Sequence, residues 1–232
     1  MIKLNDFEKK SYSQFGEDGI TEKIFELIGT TNKVCVEFGV EDGTMCCSRI
    51  LWEKHGFKQI LFDNCAENLN INLKKYTLTV ENVLNLFKDN QVPKDLDFLS
   101  VDIDSYDFYL VHKILEEFHP RVLVVETNPT FKKEDKVIML NHMLNSGAYH
   151  GASLLAWFKS LKYKYDLICH ETNGINAFFV KKDLLSEKTI YGFNDFDVLH
   201  RQHKNIDAYS PVPENYIMLN SDEALNILKS NK

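Results

Sequence analysis

The chain has 232 residues, 44% hydrophobic and 12% aromatic, enough to bury the core of one α/β domain and too many for a disordered chain. A net charge of −7, with the doublets Lys9-Lys10, Lys74-Lys75, Lys132-Lys133 and Lys181-Lys182 scattered, argues against a surface for phosphate backbones, so no nucleic-acid partner is expected. No apolar run approaches the ~18 residues of a membrane span, and Cys35, Cys46, Cys47, Cys65 and Cys169, odd in number and without a C-x-x-C pair, read as reduced thiols of a cytoplasmic protein.

In chain order, the opening residues 1–8 carry no basic-then-apolar leader pattern. Ile20, Ile24, Leu27 and Ile28 then recur at helical spacing up to a stop at Gly29, which predicts a helical cap over residues 1–32. Five short β-rich runs follow: Val34-Cys35-Val36, Gln59-Ile60-Leu61-Phe62, Thr77-Leu78-Thr79-Val80, Phe98-Leu99-Ser100-Val101 and Val122-Leu123-Val124-Val125. Mostly helical stretches separate them, which predicts a largely parallel sheet with helices on both faces. Residues 165–170 and 176–180, joined by a turn, predict a closing antiparallel hairpin, so the Rossmann-like core spans residues 33–181 of a single domain. In the extension, 182–232, Pro211 and Pro213 mark irregular chain, and Tyr191, Phe193, Phe196 and Tyr209 offer rings that either stack on an acceptor or pack.

Chemistry gathers where the strands end. Glu37-Phe38-Gly39-Val40-Glu41-Asp42-Gly43 is a glycine turn between a strand and a helix, where a missing Cβ lets a ligand approach the backbone. It is G-x-x-x-G rather than G-x-G-x-x-G, and its acids suit an ammonium and a sulfonium better than a pyrophosphate, which disfavours a nicotinamide-dependent dehydrogenase. Asp63 follows Glu37 by 26 positions, near the spacing at which a carboxylate reaches ribose hydroxyls. It equally suits capping of the next segment. Asn82 either reads an adenine edge or caps a helix. Asp102, Asp104 and Asp107 crowd the end of the fourth strand, where three carboxylates are costly without a cationic ligand or metal. His150 stands before Gly151-Ala152-Ser153 as a base or a packing histidine, and Met139, Leu140, Met143 and Leu144 read as helix core.

Taken in order, Ser13-Gln14-Phe15-Gly16-Glu17-Asp18-Gly19, Glu37-Phe38-Gly39, Asp42-Gly43, Asp63, Glu81-Asn82, Asp102-Ile103-Asp104, Glu126-Thr127-Asn128-Pro129, Gly151-Ala152-Ser153 and Asn176-Ala177-Phe178-Phe179-Val180 resemble the FkbM-like class I methyltransferases over about residues 11–181. The resemblance implies a seven-stranded sheet and S-adenosylmethionine as methyl donor. Glu37, Gly39 and Gly43 would meet its methionine part, Asp63 the ribose and Asn82 the adenine, with Gln14 lying over the cofactor. The Asp-Ile-Asp-Ser-Tyr run also resembles macrocin-type sugar O-methyltransferases, which hold a divalent ion there, although Glu126-Thr127-Asn128 replaces their second pair of aspartates. On that likeness Asp104, Glu126 and Asn128 hold Mg²⁺, an ion suited to oxygen ligands. Asp102 lies by the sulfonium or acts as base, with Asp104 and His150 as further candidate bases. The implied acceptor is a hydroxyl of a sugar, nucleotide-sugar or glycan intermediate. Two alternatives stay open: N-methylation, suggested by Asn128-Pro129-Thr130-Phe131, and a cofactor-binding module without turnover. Oligomeric state is not set by the sequence.

Overall fold

The structure is a computed structural model that describes residues 1–104, 106–138, 151–186, 188–203 and 217–230. The readings made for Met139, Leu140, Met143, Leu144, His150, Tyr209, Pro211 and Pro213 lie outside the described residues.

Seven strands form the main sheet: β1 Val34–Phe38, β2 Lys58–Asp63, β3 Leu73–Lys75, β4 Phe98–Val101, β5 Val122–Glu126, β7 Tyr165–His170 and β8 Asn176–Lys181. Their spatial order is β3-β2-β1-β4-β5-β8-β7. Only β8 runs against the others, paired antiparallel with both β5 and β7. The Rossmann-like sheet and its closing hairpin are therefore as the sequence predicts. Strand β6 (Val137–Ile138) makes a separate antiparallel pair with β9 (Met218–Leu219).

Two apolar layers hold the helices, because alternate strand residues face opposite sides. Helices α1 (Glu17–Ile28) and α2 (Arg49–Lys54) pack Ile20, Ile24, Phe25, Ile50 and Leu51 against Cys35, Phe98, Val124 and Phe178. On the other face α3 (Val83–Asp89), α4 (Asp107–Ile114), α5 (Leu154–Leu161) and α7 (Ser221–Ser230) cover Phe38, Phe62, Val101, Val125 and Phe179. Helix α7 places Ala224 and Leu228 in that layer, so the C-terminal extension shares the core; the remaining helix, α6 (Phe196–Leu199), adds Leu199. Fully burying one such side chain contributes about 1.5–3 kcal/mol. Gly29 ends α1 as expected, with φ +65°, and its N–H donates to the Phe25 carbonyl. Ser153 caps α5 by accepting the Ala156 N–H at 3.0 Å.

The third strand needs a correction. Residues 77–80 form no strand; β3 is Leu73–Lys75, four residues upstream, and it pairs parallel with β2. The connection between β2 and β3 holds only a short 3-10 turn, Leu69–Ile71, where an α-helical crossover is usual. Thr77–Leu78 and the following turn are instead fixed by Asn82, whose amide accepts from Thr79 N–H and donates to the Thr77 carbonyl, both at 2.9 Å. No helix among the described residues is long and apolar enough to cross a membrane, and all five cysteines are free thiols.

Candidate functional site

Strand register brings the predicted acids into one row. Phe38 is level with Phe62 and Val101, and Val101 with Val125. Glu126 is level with Asn176. One residue beyond, at the carboxyl edge of the parallel strands, Asp63, Gly39, Asp102, Glu126 and Asn176 lie side by side. Open α/β sheets bind their ligands at this edge. The glycine opens a gap in the row between two carboxylates, Asp63 and Asp102.

The backbone makes that glycine obligatory. Gly39 has φ +74°, and a Cβ added there would lie 1.5 Å from the Asp102 carbonyl oxygen. The close approach at Gly39 is thus by the neighbouring strand's own backbone, whereas the sequence reading reserved the space for a ligand. Gly43 (φ +83°) sits similarly against Ile71, whose Cδ1 would be 2.3 Å from a Cβ.

Each acid near the row has a defined setting. Glu37 is 4% exposed and accepts the Cys47 and Ser48 N–H groups at 2.7 and 2.8 Å, anchoring the entry to α2. Burial pushes its carboxyl up to about 7. Asp63 accepts the N–H groups of Glu41 (2.8 Å), Cys65 (2.7 Å) and Ala66 (3.2 Å), so it ties the turn after β1 to the turn after β2. Both suggested roles of Asp63 remain compatible, since a carboxylate has more acceptor positions than three bonds use. Asp102 is half-buried, and loss of water around it, then Glu126, Asp107, Asp104 and Glu37, raise its carboxyl well above the ordinary range.

Asp102, Asp104 and Glu126 can bring one oxygen each within 4.8 Å of one another. Asp104 is exposed, in left-handed backbone at φ +56°, while Asp107 accepts the Ile103 N–H at 2.7 Å and holds the turn from within. Asn128 Oδ1 accepts from Thr130 N–H at 2.9 Å and caps the 3-10 turn Pro129–Phe131. Asn82 sits at the start of α3 without capping it, its amide being engaged with residues 77 and 79.

The motif around Gln14 folds itself. Asp18 Oδ2 accepts the N–H groups of Ser11, Tyr12 and Ser13, all at 2.8 Å, and the Ser13 hydroxyl at 2.6 Å. Glu17 accepts Phe15 N–H at 2.8 Å and the Asn176 amide at 2.7 Å, which fastens the loop to the β5/β8 end of the row. Gln14 is exposed at the loop's tip. Gly19 lets this helix start pack on the 3-10 turn Leu4–Phe7, where a Cβ would meet the Phe7 carbonyl at 1.9 Å.

Two features escape sequence reading. Cys47 is raised by burial, then by Glu17, Glu37 and Asp102, which sets its thiol among three acids from three elements. Only its position after the glycine turn signals this. His170 is buried, held down to about 3 by burial, and bonds Thr127 Oγ1 through Nε2 at 3.1 Å while Nδ1 accepts the Arg201 N–H. It braces the hairpin as a neutral ring. His112 is likewise a packing histidine, bonded to Ser160 at 3.0 Å and lying against Phe108.

No protein-family model and no curated protein matches the chain. Among solved structures, an O-methyltransferase from Bacillus cereus in complex with SAH is similar, with TM-score 0.44 and 13% identity over 75% of this chain and 83% of that one. The fold itself stands on the strand order and register described above.

Proposed function

We propose that the chain is an S-adenosylmethionine-dependent O-methyltransferase acting on a hydroxyl of a sugar or nucleotide-sugar. The observation that carries this reading is the row Asp63, Gly39, Asp102, Glu126 at the carboxyl edge, with Glu37 and Glu17 close behind it. A donor with an ammonium and a sulfonium finds carboxylates there, whereas a pyrophosphate would be repelled. In this reading Glu37 and Asp102 flank the methionine part, Asp63 accepts the ribose hydroxyls, and the loop bearing Gln14 covers the ligand. Adenine contact by Asn82 would need its amide to give up a bond to residue 77 or 79.

S-adenosylmethionine supplies an activated methyl group, and the chain must supply position and a place for the acceptor's proton. Asp102 suits the second task. A carboxyl raised by burial and neighbouring acids holds a proton well, and a general base works best with a pKa near the operating pH. Asp102, Asp104 and Glu126 form an all-oxygen donor set that fits Mg²⁺; such an ion would orient an acceptor hydroxyl and lower its pKa. The sugar acceptor follows from the resemblance to macrocin-type enzymes.

The test is calorimetric titration with S-adenosylhomocysteine and, separately, with NADH, followed by a methyl-transfer assay on a nucleotide-sugar panel with Mg²⁺ or EDTA. S-adenosylhomocysteine is expected to bind, and Asp63→Ala to weaken it by about 1–3 kcal/mol. Circular dichroism checks that the variant keeps its fold. Binding of NADH alone would overturn the reading; turnover unaffected by EDTA would remove the ion and leave Asp102 as the base.

A further inference from the structure

The opposite edge of the sheet carries a second site. Strand β8 runs antiparallel, so its last residue, Lys181, is level with the first residue of β7, Tyr165, and lies one place beyond the start of β5. There a cavity of about 320 Å³ is lined by His119, Lys164, Tyr165, Lys181, Lys182 and Asp183. The length of β5, at ~3.3 Å per residue, puts it roughly 15 Å from the acidic row.

Its charge is the reverse of the molecule's. Three lysines against Asp183, with Asp166 beside Lys182, leave a surplus of one positive charge around the cavity, in a chain of net charge −7. Lys164 Nζ donates to the Leu115 carbonyl at 3.4 Å, and Lys182 Nζ stands 4.0 Å from Asp166. Among the described residues Lys181 Nζ has no hydrogen-bond or ion-pair partner. The His119 Nδ1 atom is buried with no partner, and burial, then Lys164 and Lys181, hold the ring below its ordinary value, hence neutral at pH 7.

The backbone around the cavity is fixed. Tyr165 donates its hydroxyl to the Pro120 carbonyl at 2.9 Å, Lys181 N–H to Arg121 O at 3.0 Å, and Lys182 N–H to Lys164 O at 3.1 Å. The wall is mostly apolar, as expected where lysine methylenes line a hollow and carry ammonium groups to its rim. Ligand pockets span about 300–1,000 Å³, so this one suits a small molecule.

We propose that this cavity binds a small amphipathic carboxylate, its apolar body against Tyr165 and the lysine stems and its anion on Lys181 and Lys164. Inorganic phosphate would match the charge and leave the apolar wall wet; a neutral molecule of the same shape would leave the lysines unanswered. The site is independent of the methyl-transfer reading.

The probe is 4-phenylbutyrate, compared with 4-phenyl-1-butanol and inorganic phosphate, followed by amide chemical shifts of the full chain in excess S-adenosylhomocysteine. Saturable shifts at residues 119, 164–165 and 181–183 are expected with phenylbutyrate, and at least tenfold weaker effects with the other two. Lys181→Glu should weaken phenylbutyrate at least tenfold while the rest of the spectrum stays in place, and the milder Lys181→Gln should fall between. No shifts at these residues, shifts confined to the acidic edge, equal binding of the alcohol or of phosphate, or an unchanged affinity in both variants would each overturn the proposal.

Discussion

At Gly39 the requirement for glycine is set by the fold before any ligand arrives. Its φ is +74° and the Asp102 carbonyl fills the place of a side chain. Gly39→Val should therefore cost more than about 3 kcal/mol of stability, since both strained backbone and a collision with main chain are imposed. Thermal unfolding checks this: a variant that keeps its melting temperature and loses only ligand affinity would return the glycine to a purely ligand-facing role. At this scale the sequence is informative about residue type and less so about cause. Glu37 could be picked out by its place at the glycine turn, Asp63 by its spacing from Glu37, and Asp102 because acids crowded at a strand end are costly. The bonding of Glu37 and Asp63 could not, because the partners are backbone N–H groups of residues 41, 47, 48, 65 and 66, whose positions depend on loop conformation. Asn128 shows the same limit, its oxygen being turned to Thr130 by a local cap.

Among elements, the strands buried on both faces were legible as continuous apolar runs, and β1, β2, β4, β5 and the β7–β8 hairpin lie where those runs predict. The edge strand was not. Leu73–Lys75 is short and carries two lysines, while residues 77–80 have the stronger β composition but are held in a turn by Asn82. Equally hidden was the tie between α1 and the sheet. Arg121 donates to the Ile28 and Gly29 carbonyls at 2.8 Å, closing the C-terminus of α1, and to Asp97 at 2.7 Å. Asp97 in turn accepts the Thr31 and Lys33 N–H groups at 2.9 and 2.8 Å. Burial works against the Asp97 charge, yet Arg121 and these amides hold its carboxyl below the ordinary range. Removing one partner of such a buried pair costs about 3–5 kcal/mol. Arg121→Met should lose stability of that order in urea, with amide exchange rising first at the end of α1 and residues 29–33. A loss under about 1 kcal/mol would mean that the amides of residues 31–33 hold the Asp97 charge without Arg121.

Across the whole molecule, the acids gathered at the carboxyl edge of the sheet have a measurable consequence for ligand binding. Without a cation, burial raises the Glu37 carboxyl to about 7, so it still holds a proton near pH 6, and burial with the neighbouring acids raises Asp102 well above the carboxylate range. A bound sulfonium and ammonium favour the ionised carboxylates, so binding must release protons. Affinity then rises with pH while the free protein still carries them, by up to about tenfold per pH unit for each proton released. For Glu37 the rise lies below about 7, where the free protein still holds that proton. The upper part is the usable one, because His112 and His170, held neutral to about 3 by burial, take up protons on unfolding and weaken the fold as pH drops below their ordinary 6.5. Between pH 6 and 8, S-adenosylmethionine should bind more tightly at the higher pH, and more steeply so than S-adenosylhomocysteine, which keeps the ammonium and lacks the sulfonium. Calorimetry in buffers of different ionisation enthalpy counts the protons directly. Glu37→Gln should flatten the slope by removing one titrating group while retaining an oxygen for the Cys47 or Ser48 N–H. Equal slopes for the two ligands would separate the sulfonium from these acids, and affinity that falls with rising pH would place the cationic ligand elsewhere.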